Sequence, residues 1–302
     1  MIDEIKEYEI HSPDDDDERF FIKDVEITPI FRRLKATSCG ESLERTADGN
    51  VVLNTILKLI IVIESCINQA EVLGFSFSPT ESLQRLFYDF KGMSSIKNRI
   101  FLNALCSDTS NSVINNKNYL EIGCASGSTY ISANSENNLN SSYVCDLFLE
   151  KKNGMDGKDI FLENCLEHLG EIPKNLFVEN CFSLNLDKIK DKINIYFYDG
   201  GHSVKDHEMA LTYFEKVFDD HVIFIIDDWN DTRVQLGTLL GLSKIGYSLS
   251  WWHYCPANVH YAPFAGIYFE RSQLSSKTIF GDSARWWNGL MIMLLSKGDE
   301  TK

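Results

Sequence analysis

Two short acidic segments, Tyr198-Asp-Gly-Gly-His202 and Ile226-Asp-Asp-Trp-Asn230, hold the side chains best suited to chemistry in this chain. Each follows an apolar, β-favouring run, 193–198 and 222–226, and so reads as the exit of a buried strand. If those strands are parallel neighbours, Asp199, Asp227 and Asp228 converge on one rim. Three carboxylates there repel one another at neutral pH unless a cation or protons compensate. Hard oxygen donors suit Mg²⁺ or Mn²⁺, which keep positions open for water or a substrate. The plainer alternative is that Asp227 and Asp228 cap the helix that follows them. His202 adds an imidazole that titrates near neutral pH, suited to act as a general base; its alternative is a structural hydrogen bond at the strand end.

A second stretch, Asn118-Tyr-Leu-Glu-Ile-Gly-Cys-Ala-Ser-Gly-Ser-Thr129, reads as a buried strand, a tight glycine turn and a helix start. Its spacing is Glu121-x-Gly123-x-Ala125-x-Gly127, which differs from the Gly-x-Gly-x-x-Gly of a dinucleotide site. Parallel sheets bind ligands at the carboxyl ends of their strands, where glycine lets the backbone approach closely. An acid two residues before the first glycine suits a ligand that carries an amino group. Asp146 ends the next strand, where a carboxylate can accept from both hydroxyls of a ribose or can cap the loop instead.

The first-strand pattern resembles the opening motif of class I S-adenosylmethionine (SAM) methyltransferases. With the later segments the resemblance becomes narrower. Asp227 lies 28 positions after Asp199 (227 − 199) and is followed at once by Asp228. This is similar to the metal triad of catechol O-methyltransferases and of the macrocin O-methyltransferase type that acts on sugars. Tyr119 to Gly123, Tyr198 to His202, Asp227 to Asn230 and Gly237-Thr238 carry the likeness, which covers roughly 90–272. It implies a Rossmann-like, doubly wound, seven-stranded and mostly parallel sheet. It also implies SAM as cofactor, Mg²⁺ (or Mn²⁺) on Asp199, Asp227 and Asp228, and a hydroxyl acceptor on a glycan or other small molecule, with a phenol as the alternative. Ser183 would line the adenine pocket. Two departures stand out: Gly201 replaces an acid frequent in the sugar enzymes, and His202 replaces the lysine base of the catechol enzymes. Competing readings are a nicotinamide-dependent oxidoreductase and a SAM-fold subunit that only binds a partner.

The elements that must position these groups follow from periodicity. Strand and helix signals alternate from 118 onward, as a parallel sheet requires. A methyltransferase domain is expected over 111–272, ending in strands at 247–253 and 265–270 that pair at the sheet edge. A C-terminal helix is expected at 283–295 within a final segment 273–302. Before the sheet, an acidic mobile tail over 1–20 precedes a helical cap or homodimer layer over 21–110, with helices near 51–72, 80–90 and 95–107. In this cap the apolar residues Ile96, Ile100, Phe101, Ala104 and Leu105 share one helical face.

The formal net charge of −15 disfavours a nucleic-acid or anionic-membrane partner. Eight scattered cysteines without Cys-x-x-Cys suggest a reducing, cytoplasmic setting without structural zinc. The apolar window 51–67 is interrupted by Asn54, Lys58 and Glu64, so no membrane span is expected. An aromatic stretch, Trp251 to Tyr254 with His260 and Tyr261, could wall an acceptor site or pack the sheet edge. Trp229 carries the same two options.

Overall fold

A computed structural model describes residues 43–45, 51–53, 55–71, 79–90, 92–107, 114, 116–149, 151–152, 155–255, 286 and 289–298. The expected acidic tail, the 265–270 strand, His260 and Tyr261 lie outside the described residues.

The chain opens with a small antiparallel pair, β1 (Leu43–Arg45) and β2 (Val51–Leu53). The helix expected from 51 therefore starts four residues later, as α1 (Thr55–Glu71), which buries Leu59, Ile63, Cys66, Ile67 and Ala70. A short α2 (Glu81–Gln84), capped by the Thr80 side chain, widens into a π-helical turn over Arg85–Asp89. Arg99 explains the widening's stability. Its buried guanidinium donates to the carbonyls of Leu86, Phe87 and Phe90 that the turn leaves unpaired. Arg99 belongs to α3 (Ile96–Cys106), which is N-capped by Ser95 and is buried on nearly every side.

Next come β3 (Asn118–Ile122), α4 (Ser128–Asn134) and β4 (Ser141–Cys145). A small hairpin of β5 (Lys151–Lys152) and β6 (Met155–Asp156) leads into α5 (Gly157–Leu169) and β7 (Asn175–Phe177). The chain continues through β8 (Ile193–Tyr198), α6 (Val204–Thr212), β9 (Phe218–Ile226), α7 (Thr232–Leu242), β10 (Tyr247–Cys255) and β11 (Leu290–Lys297). Seven strands form one sheet in the order β10-β11-β9-β8-β3-β4-β7. Pairing is parallel from β7 to β9 and antiparallel around β11. The result is the Rossmann-like, doubly wound, mostly parallel sheet that the resemblance implies.

Residues 290–297 correct the expected C-terminal helix. Leu290 to Leu295 is a strand, and it lies between β9 and β10 rather than at the sheet edge. A run apolar on both faces fits a buried strand as well as a buried helix, and here a sheet neighbour waits on each side.

Alternation along the strands divides the core. Tyr119, Val144, Ile195, Phe197, Ile223 and Ile225 face a layer built from α1, α3, α4 and α5. Leu120, Tyr196, Tyr198, Phe224 and Ile226 face α6 and α7. Covering both faces excludes water from every central ladder. Every described cysteine is a free thiol. No described helix is long and apolar enough to cross a membrane.

Helix α1 shares the first of these cores, and Glu71 at its end accepts a 2.5 Å hydrogen bond from Trp286 Nε1. Deleting residues 1–80 is therefore expected to yield aggregated or inactive protein on size-exclusion chromatography, because Phe101 and Leu105 lose their cover. A soluble, fully active 81–302 fragment would refute this.

Candidate active site at the carboxyl rim of the sheet

The four central strands end in register, and the ladder runs one residue past each of them. Gly123 N donates to Cys145 O at 2.9 Å, Asp146 N to Phe177 O at 3.1 Å, Asp199 N to Ile122 O at 2.8 Å and Asp227 N to Tyr198 O at 3.2 Å. Four loops therefore leave the same rim side by side, carrying the glycine turn, Asp146, Asp199 and the Asp227-Asp228 pair.

Gly123 has φ +82°, and a Cβ there would lie 1.8 Å from the Asp199 carbonyl oxygen. Only glycine fits this crossing, which presses the first turn against the start of the next acidic loop. Gly127 has φ +92°, and a side chain there would strike the Phe161 ring of α5. Ala125 between them sits at φ +46°, in the left-handed region that alanine seldom adopts. Its N–H donates to Asp146 Oδ2 at 2.8 Å, while Asp146 Oδ1 accepts from Phe148 N at 2.6 Å. Asp146 thus ties two loops together, as the loop-capping alternative holds. Each oxygen retains a lone pair, so the carboxylate can still accept from a ribose diol.

Glu121 is fully buried, with its carboxylate accepting from the hydroxyls of Tyr119 at 2.5 Å and Thr129 at 2.6 Å. Burial pushes its pKa up to about 7. The structure thus keeps it inside the protein, fixing the entry to α4. Ser183 is exposed, at the end of a one-turn helix over Cys181–Ser183.

The structure assembles Asp199, His202 and Asp228, each offering a ligand atom, with all of these atoms within 4.8 Å of one another. Asp227 is not one of the three. It is buried beside them at 4% exposure, and its Oδ1 has no hydrogen-bond partner. Burial, then the charges of Asp227 and Asp228, hold the Asp199 pKa well above the usual carboxylate range. Burial, then Asp228, pushes Asp227 up to about 8. His202 Nε2 lies 2.8 Å from Asp228 Oδ2, and that hydrogen bond raises the histidine's pKa. Asp228 itself has φ +55°.

The capping alternative for Asp227 and Asp228 does not survive. Helix α7 is capped by Asp231, whose side chain accepts from Arg233 N at 2.8 Å. Asp231 was legible as an acid directly before Thr232, where an N-cap belongs. Helix α6 is closed by a capping box of Ser203 and Asp206, so His202 is also free of that duty. Trp229 is 1% exposed and packs in the core, and its backbone N–H donates to Gly289 O at 3.1 Å. Trp251 and Trp252 are likewise buried, while the Tyr254 hydroxyl donates to Asn230 Oδ1 in the Asp-Asp-Trp-Asn loop.

No protein-family model and no curated protein matches the chain. Among solved structures it is similar to TrmN from Thermus thermophilus, with 13% identity and a TM-score of 0.43. That match covers 71% of this chain and 52% of the other, so the chain spans about half of TrmN's length. It is also similar to an O-methyltransferase from Bacillus cereus in complex with SAH, at 16% identity, TM-score 0.43, and 78% and 100% coverage. A third is TrmK from M. capricolum in complex with S-adenosyl-homocysteine, at 15% identity, TM-score 0.40, and 70% and 73% coverage.

Proposed function

We propose that the protein is a SAM-dependent methyltransferase that moves a methyl group to a hydroxyl of a small molecule, a glycan first among candidates. The observation that carries this reading is the crossing of Gly123 over Asp199, which puts a nucleotide-type turn against an acid–imidazole cluster. A donor seated at the turn and an acceptor seated at the cluster would meet at one place. An oxidoreductase reading is disfavoured because the turn lacks the dinucleotide spacing.

The residues fit both absent groups. Asp146 has spare lone pairs for a ribose, and the acidic rim suits a sulfonium-bearing ligand. Asp199 and Asp228 would hold a divalent cation, with the buried and unpartnered Asp227 Oδ1 beside them. The cofactor supplies an already activated methyl group, and the cation would make a bound hydroxyl more acidic. The chain's own task is to align the acceptor oxygen and to exclude water. Two vicinal acceptor oxygens suit such a site because they chelate and so fix direction. The proton released passes to the clustered carboxylates, whose charges act on one another.

Calorimetric titration with S-adenosylhomocysteine tests the reading. Wild type should bind, and Asp146→Ala should lose roughly 1–3 kcal/mol of binding free energy, the range for hydrogen bonds to a charged group. No binding to wild type would dismiss the function. Equal affinity in the variant would remove Asp146 alone.

A further inference from the structure

His202 is half exposed at the rim, with its side chain 45% accessible, and so is not there to fill the core. Nor does it cap α6, which Ser203 and Asp206 close between them. Its Nε2 is turned to Asp228 Oδ2 at 2.8 Å. Two ligands on adjacent corners of an octahedral ion with bonds of about 2.1 Å stand about 3 Å apart. The His202–Asp228 hydrogen bond thus already has the spacing of a ligand pair, with Asp199 as the third member of the group.

Two further observations point the same way. Asp228 holds a left-handed φ of +55°, a conformation costly for a side chain with a Cβ, and it is this residue that meets His202. Asp227, more than nine-tenths buried, leaves Oδ1 without a partner and is the charge acting most strongly on Asp199. The buried Asp227 oxygen is thus a donor left for a cation beside the three. His207, on helix α6, is buried against Tyr198, and among the described residues His202 is the imidazole of this group.

We propose that His202 is a metal ligand rather than the proton acceptor, and that with Asp199 and Asp228 it holds a first-row transition cation in preference to Mg²⁺. Resting on the reading of this rim as a divalent-cation site, the proposal fixes the donor set. Magnesium takes oxygen donors and dehydrates reluctantly, whereas imidazole suits Fe²⁺, Co²⁺ and Zn²⁺. A site with two carboxylates and one imidazole gives the transition ions a nitrogen that Mg²⁺ cannot use well.

Because oxygen-only sites also rank Co²⁺ above Mg²⁺, the test is the loss of that preference. Metal-free full-length protein is titrated with Co²⁺ and with Mg²⁺ by calorimetry, for wild type, His202→Ala and Asp199→Asn. Melting curves confirm that each variant is folded. His202→Ala should weaken Co²⁺ by about tenfold or more, since loss of even an outer partner costs about 10–100-fold, and should leave Mg²⁺ within about twofold. Pulsed electron paramagnetic resonance on bound Mn²⁺ should show nitrogen coupling in wild type and none in His202→Ala. Co²⁺ affinity unchanged in His202→Ala, or Mn²⁺ without nitrogen coupling, overturns the ligand role and returns His202 to the base. Affinities unchanged in Asp199→Asn place the ion elsewhere, which overturns the rim reading as well.

Discussion

Asp199→Asn should reduce methyl transfer by about 10²-fold or more, the scale of losing a group that organises developing charge. S-adenosylhomocysteine affinity should stay close to wild type. The same variant should make the metal-free protein more stable, because it removes one of three mutually repelling carboxylates. That opposition of signs separates a functional carboxylate from a structural one, whose loss would lower activity and stability together. The pH dependence follows in sign. Asp227 has a folded pKa of about 8 against an ordinary aspartate value of 3.8, so the folded state binds the extra proton between them. Stability of the metal-free protein should therefore fall as pH rises through that window, and Asp227→Asn should flatten the fall. Denaturation midpoints at several pH values, with an activity assay in excess chelator, check both halves. Full activity in chelator would end the metal reading.

Gly123→Ala should be among the most damaging single-methyl additions. The new Cβ meets the Asp199 carbonyl oxygen at 1.8 Å, at a φ of +82° that alanine avoids. Left-handed strain and overpacking each cost about 1–3 kcal/mol, so a loss of roughly 3–5 kcal/mol is expected in chemical denaturation. Any folded fraction should have the acidic loop displaced and cation affinity lowered. Ala125→Gly, two residues on, should behave in the opposite way. Its backbone is already left-handed at φ +46°, so glycine relieves strain and the stability change should stay within about 1 kcal/mol. A Gly123→Ala protein as stable as wild type would show that the crossing is looser than described.

The central strands were legible because 222–226 is apolar on both faces, 193–198 nearly so, and Tyr119, Leu120 and Ile122 run into a glycine turn. Those boundaries placed Asp146, Asp199, Asp227 and Asp228 on one rim before any coordinates. What periodicity could not separate was 290–297, where a continuous apolar run over Leu290–Leu295 suits either element; its short length and flanking Gly289 and Gly298 were the usable signals. The inward turn of Glu121 was hidden for another reason. Its hydroxyl partners, Tyr119 two residues before it and Thr129 eight residues after, meet it only once strand and helix have packed. Likewise the His202–Asp228 pair joins loops 26 residues apart (228 − 202), and its existence depends on the φ of Asp228.

The insertion of 290–297 between β9 and β10 has a bearing on how the chain is made. In a growing polypeptide, β9 and β10 leave the ribosome before the strand that joins them exists. Until residue 290 and its successors emerge, β9 and β10 each lack the β11 partner that they have in the finished sheet. Joining β9 to β10 therefore waits on contacts of high sequence separation, and the β9 edge is open to wrong partners meanwhile. The acidic loop after β9 inherits that delay, since its Trp229 backbone N–H donates to Gly289 O at the entry to β11.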